Sequence, residues 1–226
     1  MVTDATDTTG ASLALLHTSP VHVPVFEGLR DQDHPGLALR HLVHEDLLAR
    51  ARVEGPQAVA GDVQELLEQA VADGADAVLC TCSTLGGVAE AGAAALGVPV
   101  LRVDRPMAAA AVAAGRSVAV VATVESTLEP TLALVEEEAA RAGRPVEVTT
   151  VLVAGAWDRF AAGDRDGCLE LVADAVDALE GVDAVVLAQA SIADVADRSA
   201  LAVPVLASPR TGLNAAVLRC RAGATS

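Results

Sequence analysis

The sequence predicts an α/β protein made of two pseudo-symmetric α/β lobes with parallel sheets and an active-site cleft between them. Residues 76–84 read DAVLCTCST and residues 183–191 read DAVVLAQAS, an offset of 183 − 76 = 107. The sequence VPVL at 98–101 recurs at 203–206, an offset of 105. Such an internal repeat indicates two similar half-molecules. Short β-branched runs also alternate with longer Ala/Leu/Glu-rich stretches, which is typical of parallel strands joined by right-handed helical crossovers.

The elements follow in chain order from these runs. The apolar run Ser12–His17 predicts a first strand, and Ala77–Thr81 is a continuous apolar run of the buried parallel type. Apolar residues at helical spacing predict a helix over Pro56–Asp73, which Gly74 ends. The full set of predicted strands is 12–17, 37–43, 77–81, 98–103, 117–122, 146–153, 184–187 and 203–206, and the helices are 21–31, 56–73, 85–96, 126–142, 164–179, 191–197 and 212–220.

The repeat also sets the predicted domain boundaries. The first α/β lobe comprises residues 12–102 plus 209–226, because the terminal helix is expected to return to it, and it carries Cys82. The second α/β lobe comprises residues 103–208 and carries Gln189. Residues 1–11 are polar and acidic, and we expect a disordered tail there.

Composition excludes several classes of function. A net charge of −16 argues against nucleic acid as a partner, because phosphate binding requires basic surface. With one Trp, two Phe and no Tyr, the chain lacks the aromatic residues on which bases stack. All fifteen cationic residues are Arg, so neither a lysine Schiff base with pyridoxal phosphate nor a phosphate-binding loop lysine is available. Any amino-acid chemistry in this protein must therefore proceed without pyridoxal phosphate.

The N-terminal region and the cysteines predict a cytoplasmic protein. The apolar run Leu13–Leu16 is too short for a signal peptide core or a membrane span, so no membrane association is expected. Without a secretory signal, the four cysteines are interpreted as reduced thiols.

Polar residues follow four of the predicted strands. In parallel sheets, ligands bind beyond the carboxyl ends of the strands, next to helix N-termini. Hydroxyls and backbone N–H groups there suit a carboxylate without needing Arg or Lys, although each of these residues is also a common helix cap. The candidate substrate-binding residues are Thr18, Ser19, Ser83, Thr84, Thr123, Ser126, Thr127, Gln189 and Ser191.

Cys82 is the candidate catalytic residue. It lies in a polar turn just before a predicted helix, where the positive end of the helix dipole favours a thiolate. A thiolate takes a proton from carbon or attacks an electrophile. The alternative is a small buried hydrophobic residue, which is how Cys80, Cys168 and Cys220 are interpreted.

No metal site is predicted. A lone Cys-x-Cys at Cys80 and Cys82 lacks the paired Cys or His motif that zinc sites use. The five histidines all fall in the first half of the chain and are interpreted as surface or supporting residues rather than catalytic ones: His17, His22, His34, His41 and His44. Of these, His17 beside Thr18 and His44 beside Glu45 could reach a cleft.

Over roughly residues 12–220 the chain resembles the aspartate/glutamate racemase superfamily, which includes hydantoin racemase, maleate isomerase and arylmalonate decarboxylase. The resemblance is carried by the strand followed by Cys82-Ser83-Thr84, by Val98–Leu101 leading into Asp104-Arg105-Pro106-Met107, by Thr123 with Ser126-Thr127, and by the strand at 183–191.

The resemblance implies a cofactor-independent site and carbanion or enolate chemistry next to a carboxylate. It also implies that Cys82 is the first of two facing cysteines, and that Ser83, Thr84, Thr123, Ser126 and Thr127 occupy carboxylate-binding positions. The second cysteine position falls on Gln189, whose neutral amide cannot act as a catalytic proton donor or acceptor at physiological pH. A homodimer is common among such relatives and is expected here.

Three functions remain open at this stage. The first is a single-thiol racemase-superfamily enzyme that decarboxylates or isomerises a small carboxylate, or racemises it with an unidentified second base. The second is full racemisation of an amino acid or hydantoin, with a His, Asp or Glu in place of the missing thiol. The third is a non-catalytic protein that binds small carboxylates and has lost the second cysteine.

Overall fold

The computed structural model describes residues 10–224, and this part of the chain contains two four-stranded parallel sheets. Residues 1–9, most of the tail predicted at 1–11, lie outside the described residues. Backbone contacts divide the chain into two compact units, Met1–Val103 with Pro209–Ser226 and Asp104–Ser208. We call these the first unit and the second unit. The predicted α/β class with two lobes is confirmed.

The strands and helices alternate along the chain. In chain order the strands are β1 (Ser12–His17), β2 (Ala38–Val43), β3 (Ala77–Cys80), β4 (Val100–Arg102), β5 (Ser117–Ala122), β6 (Glu147–Leu152), β7 (Ala184–Leu187) and β8 (Val205–Ala207). The α-helices are α1 (Val23–Asp33), α2 (Glu45–Glu54), α3 (Ala60–Ala72), α4 (Ser83–Gly92), α5 (Arg105–Ala114), α6 (Leu128–Ala142), α7 (Ala156–Ala161), α8 (Arg165–Asp177) and α9 (Ser208–Ala224).

The two sheets have the same topology and register. Their strand orders are β2-β1-β3-β4 and β6-β5-β7-β8. Leu13 pairs with Ala77 in the first sheet, and Val118 pairs with Ala184 in the second. Residues 105 apart in β1 and β5, and 107 apart in β3 and β7, are therefore structurally equivalent.

Each sheet is covered by helices on both faces. In the first unit, Leu13 and Leu15 pack with side chains of α1 and α9, such as Phe26. Ala14 and Leu16 point the other way and pack against side chains of α2, α3 and α4. Because both faces are buried, each of these strands is a continuous apolar run rather than an alternating one. The second sheet is covered by α5 and α6 on one face and by α7 and α8 on the other.

Three helices were not predicted from the sequence, and there is a physical reason why each was missed. Glu45–Glu54 buries only Leu47 and Ala51, so its periodic signal is weak. Arg105–Ala114 is mostly Ala and has no polar face from which a period can be read. Ala156–Ala161 is a helix of six residues, shorter than pattern recognition requires.

Two predicted helices also differ in type. The stretch predicted as a helix at 191–197 is a 3₁₀ helix, Ala190–Asp197. The helix predicted over 56–73 begins with a 3₁₀ turn, Pro56–Val59, before α3.

In both units, an aspartate just before one strand accepts a hydrogen bond from the backbone at the start of the strand beside it in the sheet. Asp76 Oδ2 accepts a hydrogen bond from the backbone N–H of Ser12 at 2.8 Å. At the equivalent position, Asp183 Oδ2 accepts from the N–H groups of Arg116 at 2.6 Å and Ser117 at 2.9 Å. These backbone hydrogen bonds lower the pKa of Asp183, because they favour its charged form.

Asp183→Asn is expected to reduce stability at neutral pH and to matter less in acid. An Asp whose folded pKa is depressed contributes stability above its usual pKa of 3.8 and loses it as the pH falls through the folded value. The stability difference between wild type and variant, measured by urea unfolding, should therefore narrow below pH 3.8. Asp174→Asn, on the exposed side of α8, controls for the change in net charge. A difference that is the same at pH 7 and near pH 3 would contradict this role.

Candidate active site

The carboxyl ends of β1 and β3 lie side by side and carry the predicted residues of the first unit. Thr18 and Ser19 follow β1, and Cys82 follows β3 directly before α4. Ser83 and Thr84 are the first two residues of α4. The structure therefore places the candidate thiol and four candidate hydroxyls at one edge of one sheet.

Cys82 is the N-cap residue of α4. Its backbone is extended, with φ −107° and ψ 118°, and its side chain makes no capping hydrogen bond. Because a thiol is a poor substitute for the oxygen of Ser, Thr or Asp, the first N–H groups of α4 lack a side-chain cap. These N–H groups and the positive end of the helix dipole form an environment that suits an anion. Cys82 itself is 8% exposed.

The hydroxyls around this helix start are free to bind a ligand. Within residues 10–224, the side chains of Thr18, Ser83 and Thr84 make no hydrogen bond to another protein group. Ser83 and Thr84 are half-buried, whereas Thr18 is 7% exposed. Since each hydroxyl has a donor to offer, the first unit holds a group of unused donors beside its thiol.

A buried arginine supports the first turn of α4. Arg102, at the end of β4, is 7% exposed and donates from Nη2 to the carbonyl oxygen of Ser83 at 3.4 Å. Gly86 makes room for it, because a Cβ at Gly86 would lie 2.8 Å from Arg102 Cβ and 2.9 Å from its Nε. At Gly87 the nearest Arg102 atom would be 3.8 Å away, an ordinary contact. The Gly86-Gly87 pair is thus a packing feature and not part of a nucleotide-binding loop.

Gly86→Ala and Gly87→Ala form a matched pair that tests this packing. In a helix interior, Gly→Ala stabilises by about 0.5–1 kcal/mol when there is space for the methyl group. Gly87→Ala should follow this rule. Gly86→Ala should instead destabilise by about 1–3 kcal/mol, because Arg102 must shift. Chemical denaturation of both variants measures the difference, and equal effects would show that Arg102 does not constrain α4.

Three side chains from neighbouring strands form a hydrogen-bonded relay beside Cys82. Thr81 Oγ1 lies 3.1 Å from the carbonyl oxygen of Leu16 and 2.8 Å from His17 Nδ1. His17 Nε2 lies 2.8 Å from His41 Nδ1. The relay thus runs from β2 through β1 to the residue that precedes Cys82.

The Leu16 carbonyl at one end of the relay determines which group donates in each of its hydrogen bonds. A carbonyl only accepts, so the Thr81 hydroxyl donates to Leu16, and His17 Nδ1–H must donate to Thr81. Burial, together with His41 and His22, lowers the pKa of His17 to about 3, so its ring is neutral and Nε2 accepts from His41 Nδ1–H. Burial also lowers the pKa of His41, whose Nε2 is a buried acceptor with no hydrogen-bond partner among residues 10–224. Such an acceptor costs about 1–3 kcal/mol.

Thr81 is not identified from the sequence as a residue of the site. For His17 the sequence leaves a surface and a supporting position open, and its burial at 0% exposure excludes the surface position. A histidine at the end of an otherwise apolar strand indicates a buried polar contact. Its partner His41 lies in β2, however, and the pairing of the two histidines depends on the strand register. That register cannot be read from local patterns.

The corresponding strand ends of the second unit are arranged differently. Gln189 Oε1 accepts a hydrogen bond from the backbone N–H of Thr123 at 2.7 Å and another from its hydroxyl at 3.0 Å. Both donors predicted to bind a carboxylate at Thr123 are therefore used by Gln189. The same bonds fix the orientation of the amide, so that its NH₂ group points away from Thr123.

The remaining candidates of the second unit also differ from those of the first. The Thr127 hydroxyl donates to the carbonyl oxygen of Val124 at 2.8 Å, as in a local turn. Ser126 is exposed in the 3₁₀ turn Glu125–Thr127, and Ser191 is half-buried in the stretch Ala190–Asp197. The hydroxyls of Thr123 and Thr127 in the second unit are thus used internally, unlike those of Thr18, Ser83 and Thr84 in the first.

Comparison with known families decides the family to which the chain belongs. The model of the Asp/Glu/Hydantoin racemase family matches residues 14–216. The chain belongs to the Asp/Glu/Hydantoin racemase family. No curated protein sequence matches it.

Solved structures of this family share the fold. An arylmalonate decarboxylase variant, solved in a sulfate-associated form, has 22% identity, covers 94% of both chains and gives a TM-score of 0.66. An aspartate racemase homologue from Pyrococcus horikoshii OT3 has 12% identity, with coverage of 93% of this chain and 99% of that one and a TM-score of 0.64. The glutamate racemase of Aquifex pyrophilus has 13% identity, coverage of 90% and 82%, and a TM-score of 0.61.

In this family member the other cysteines are buried and pack in the core. Cys80 lies in β3 at 0% exposure, and its thiol contacts the carbonyl oxygen of Cys82 at 3.7 Å. Burial raises the pKa of Cys168, and it raises that of Cys220 to about 11 with a further contribution from Asp76. These thiols are therefore poor nucleophiles.

Among residues 10–224, no group of three or more His, Cys, Asp or Glu side chains is placed to hold a metal ion. No helix in the same part of the chain has the length and apolar composition of a membrane span.

Proposed function

We propose that this racemase-family protein is a cofactor-independent enzyme that acts on a small carboxylate, with Cys82 as its acid–base group or nucleophile. One observation carries the proposal. Cys82 caps α4 without using its N–H groups, and the hydroxyls of Thr18, Ser83 and Thr84 beside it make no hydrogen bond within residues 10–224. A thiol and a set of unused donors therefore occur at the same helix start.

The chemistry follows from holding a carboxylate at these donors. Hydrogen bonds and the helix dipole stabilise the negative charge that develops on the carboxylate oxygens as an α-carbanion becomes an enediolate. Cys82 then removes or returns the proton at the α-carbon, or adds to a conjugated double bond. Ser19, the half-buried residue that follows Thr18, is a further proposed contact for the rest of the substrate.

The second unit favours chemistry with a single thiol. Gln189 occupies the position equivalent to Cys82, and a neutral amide does not act as a general acid or base at physiological pH. Its oxygen is held by Thr123, so the residue acts as a hydrogen-bond donor through its NH₂ group. Decarboxylation needs one proton donor, and isomerisation by covalent addition needs one nucleophile. Both are therefore preferred over racemisation by two thiols. Substrate contacts at Ser126 and Ser191, and a homodimer, stay predictions.

Isotope exchange tests the proposal. The protein is incubated in D₂O with aspartate, glutamate, 5-substituted hydantoins and substituted malonates, and NMR follows deuterium at the α-carbon and loss of carboxylate. We expect at least one acid to be labelled or decarboxylated. Cys82→Ala should reduce that rate by about 10²–10⁴-fold, the usual contribution of a positioned acid–base group.

Cys168→Ala is the matched control, because it removes a buried thiol in the second unit and should retain the rate. Labelling with retained configuration indicates one-base chemistry, whereas loss of optical rotation indicates a second base. An acid that binds without labelling or decarboxylation, and equally well in Cys82→Ala, would contradict the proposal and favour a binding protein.

A further inference from the structure

Of the two units, the one that carries Cys82 contains the relay of His41, His17 and Thr81. By the register of the strands, His17 is equivalent to Ala122 and Thr81 to Ala188. Both alanines are buried, at 0% and 6% exposure. The second sheet therefore has the same strand order and register with two methyl groups in place of the polar pair.

The internal repeat serves as a control for what the fold requires. Since the second unit forms the same sheet with Ala122 and Ala188, the topology does not need side-chain hydrogen bonds at these positions. In the first unit, the network that contains the polar pair ends at His41 Nε2, which is buried with no partner in the described part of the chain, and this is unfavourable. A costly polar network that the fold does not require calls for another role.

We propose that His17 is a positioning residue that acts through Thr81 to hold Cys82 at the start of α4. This inference rests on the proposed function of Cys82. Thr81 is the residue before Cys82, and its side chain accepts from His17 and donates to Leu16. Its backbone N–H also donates to Leu16 at 3.0 Å. The end of β3 is thus fastened to β1 by one backbone and two side-chain hydrogen bonds.

The neighbours of His17 restrict its ring as well as its hydrogen bonds. Phe26 of α1 and His22 lie with ring centroids 5.7 Å and 6.2 Å from it. The His41 ring is nearly coplanar with it, at an interplanar angle of 17°. Because the ring has little freedom, its N–H group defines where the Thr81 hydroxyl sits. Thr81 in turn defines the direction in which the chain enters Cys82 and α4.

Two pairs of substitutions test the role. His17→Leu and Thr81→Val remove the hydrogen bond while filling most of the space. His17→Asn retains an N–H donor at the same number of bonds from Cβ as Nδ1, and Thr81→Ser retains the hydroxyl. A purely structural role would not separate each deleting variant from its conservative partner.

The readout is alkylation of each cysteine by iodoacetamide in the native protein, followed by mass spectrometry. Cys82 is nearly buried, so its rate depends on local opening of the turn. We expect His17→Leu and Thr81→Val to raise the Cys82 rate by about fivefold, as the loss of one hydrogen bond predicts. His17→Asn and Thr81→Ser should stay near wild type, and Cys168 and Cys220 should remain slow in all variants.

The outcomes separate this inference from the proposed function. A Cys82 rate that is unchanged or lower in both deleting variants overturns the inference, and so does equal acceleration at Cys168 and Cys220, which would mean general destabilisation. In the wild type, the ratio of iodoacetate to iodoacetamide rates at Cys82 should exceed that of glutathione if a carboxylate binds beside the thiol. A ratio equal to that of glutathione counts against the proposed function, whereas the comparison among variants still decides the role of His17.

Discussion

The attachment of Thr81 to β1 determines where the candidate site lies. The carbonyl oxygen of Leu16 accepts from both the N–H and the hydroxyl of Thr81, so β3 ends at a fixed place relative to β1. The next residue, Cys82, must then leave the sheet and begin α4. This constraint places Cys82 at the strand end next to that of Thr18, which follows β1. The N–H groups of α4 stay uncapped because the N-cap residue is a thiol.

The two units show how one topology supports different chemistry. In the first, the second residue after β3 is Cys82, and the hydroxyls of Thr18, Ser83 and Thr84 make no hydrogen bond within residues 10–224. In the second, the equivalent residue is an amide whose oxygen takes up both donors of Thr123. The two sheets share strand order and register, whereas the helix after β3 is the α-helix α4 and the one after β7 is a 3₁₀ helix. The functional difference therefore lies in a few side chains at strand ends, as expected when sites are placed on a common scaffold.

Sequence reasoning succeeded where the physical signal is local. The buried strands are continuous apolar runs, and the Cys82 turn follows directly from the end of such a run. It failed for the uniform Ala-rich helix α5 and the short helix α7, which present no readable period. The internal hydrogen bonds of Thr123 and the relay at His17 were also missed. Each joins residues more than 20 positions apart, so it depends on strand pairing that no local pattern contains.

The most direct measurement of the central claim is a crystal structure of the protein with bound malonate. The account predicts one malonate carboxylate at the start of α4, within hydrogen-bond distance of the N–H groups of Ser83 and Thr84. Cys82 Sγ should then lie about 3–3.5 Å from the methylene carbon, the separation of a near-attack arrangement. Malonate bound elsewhere, with the start of α4 occupied only by water, would contradict the assignment of Cys82 as the reactive group.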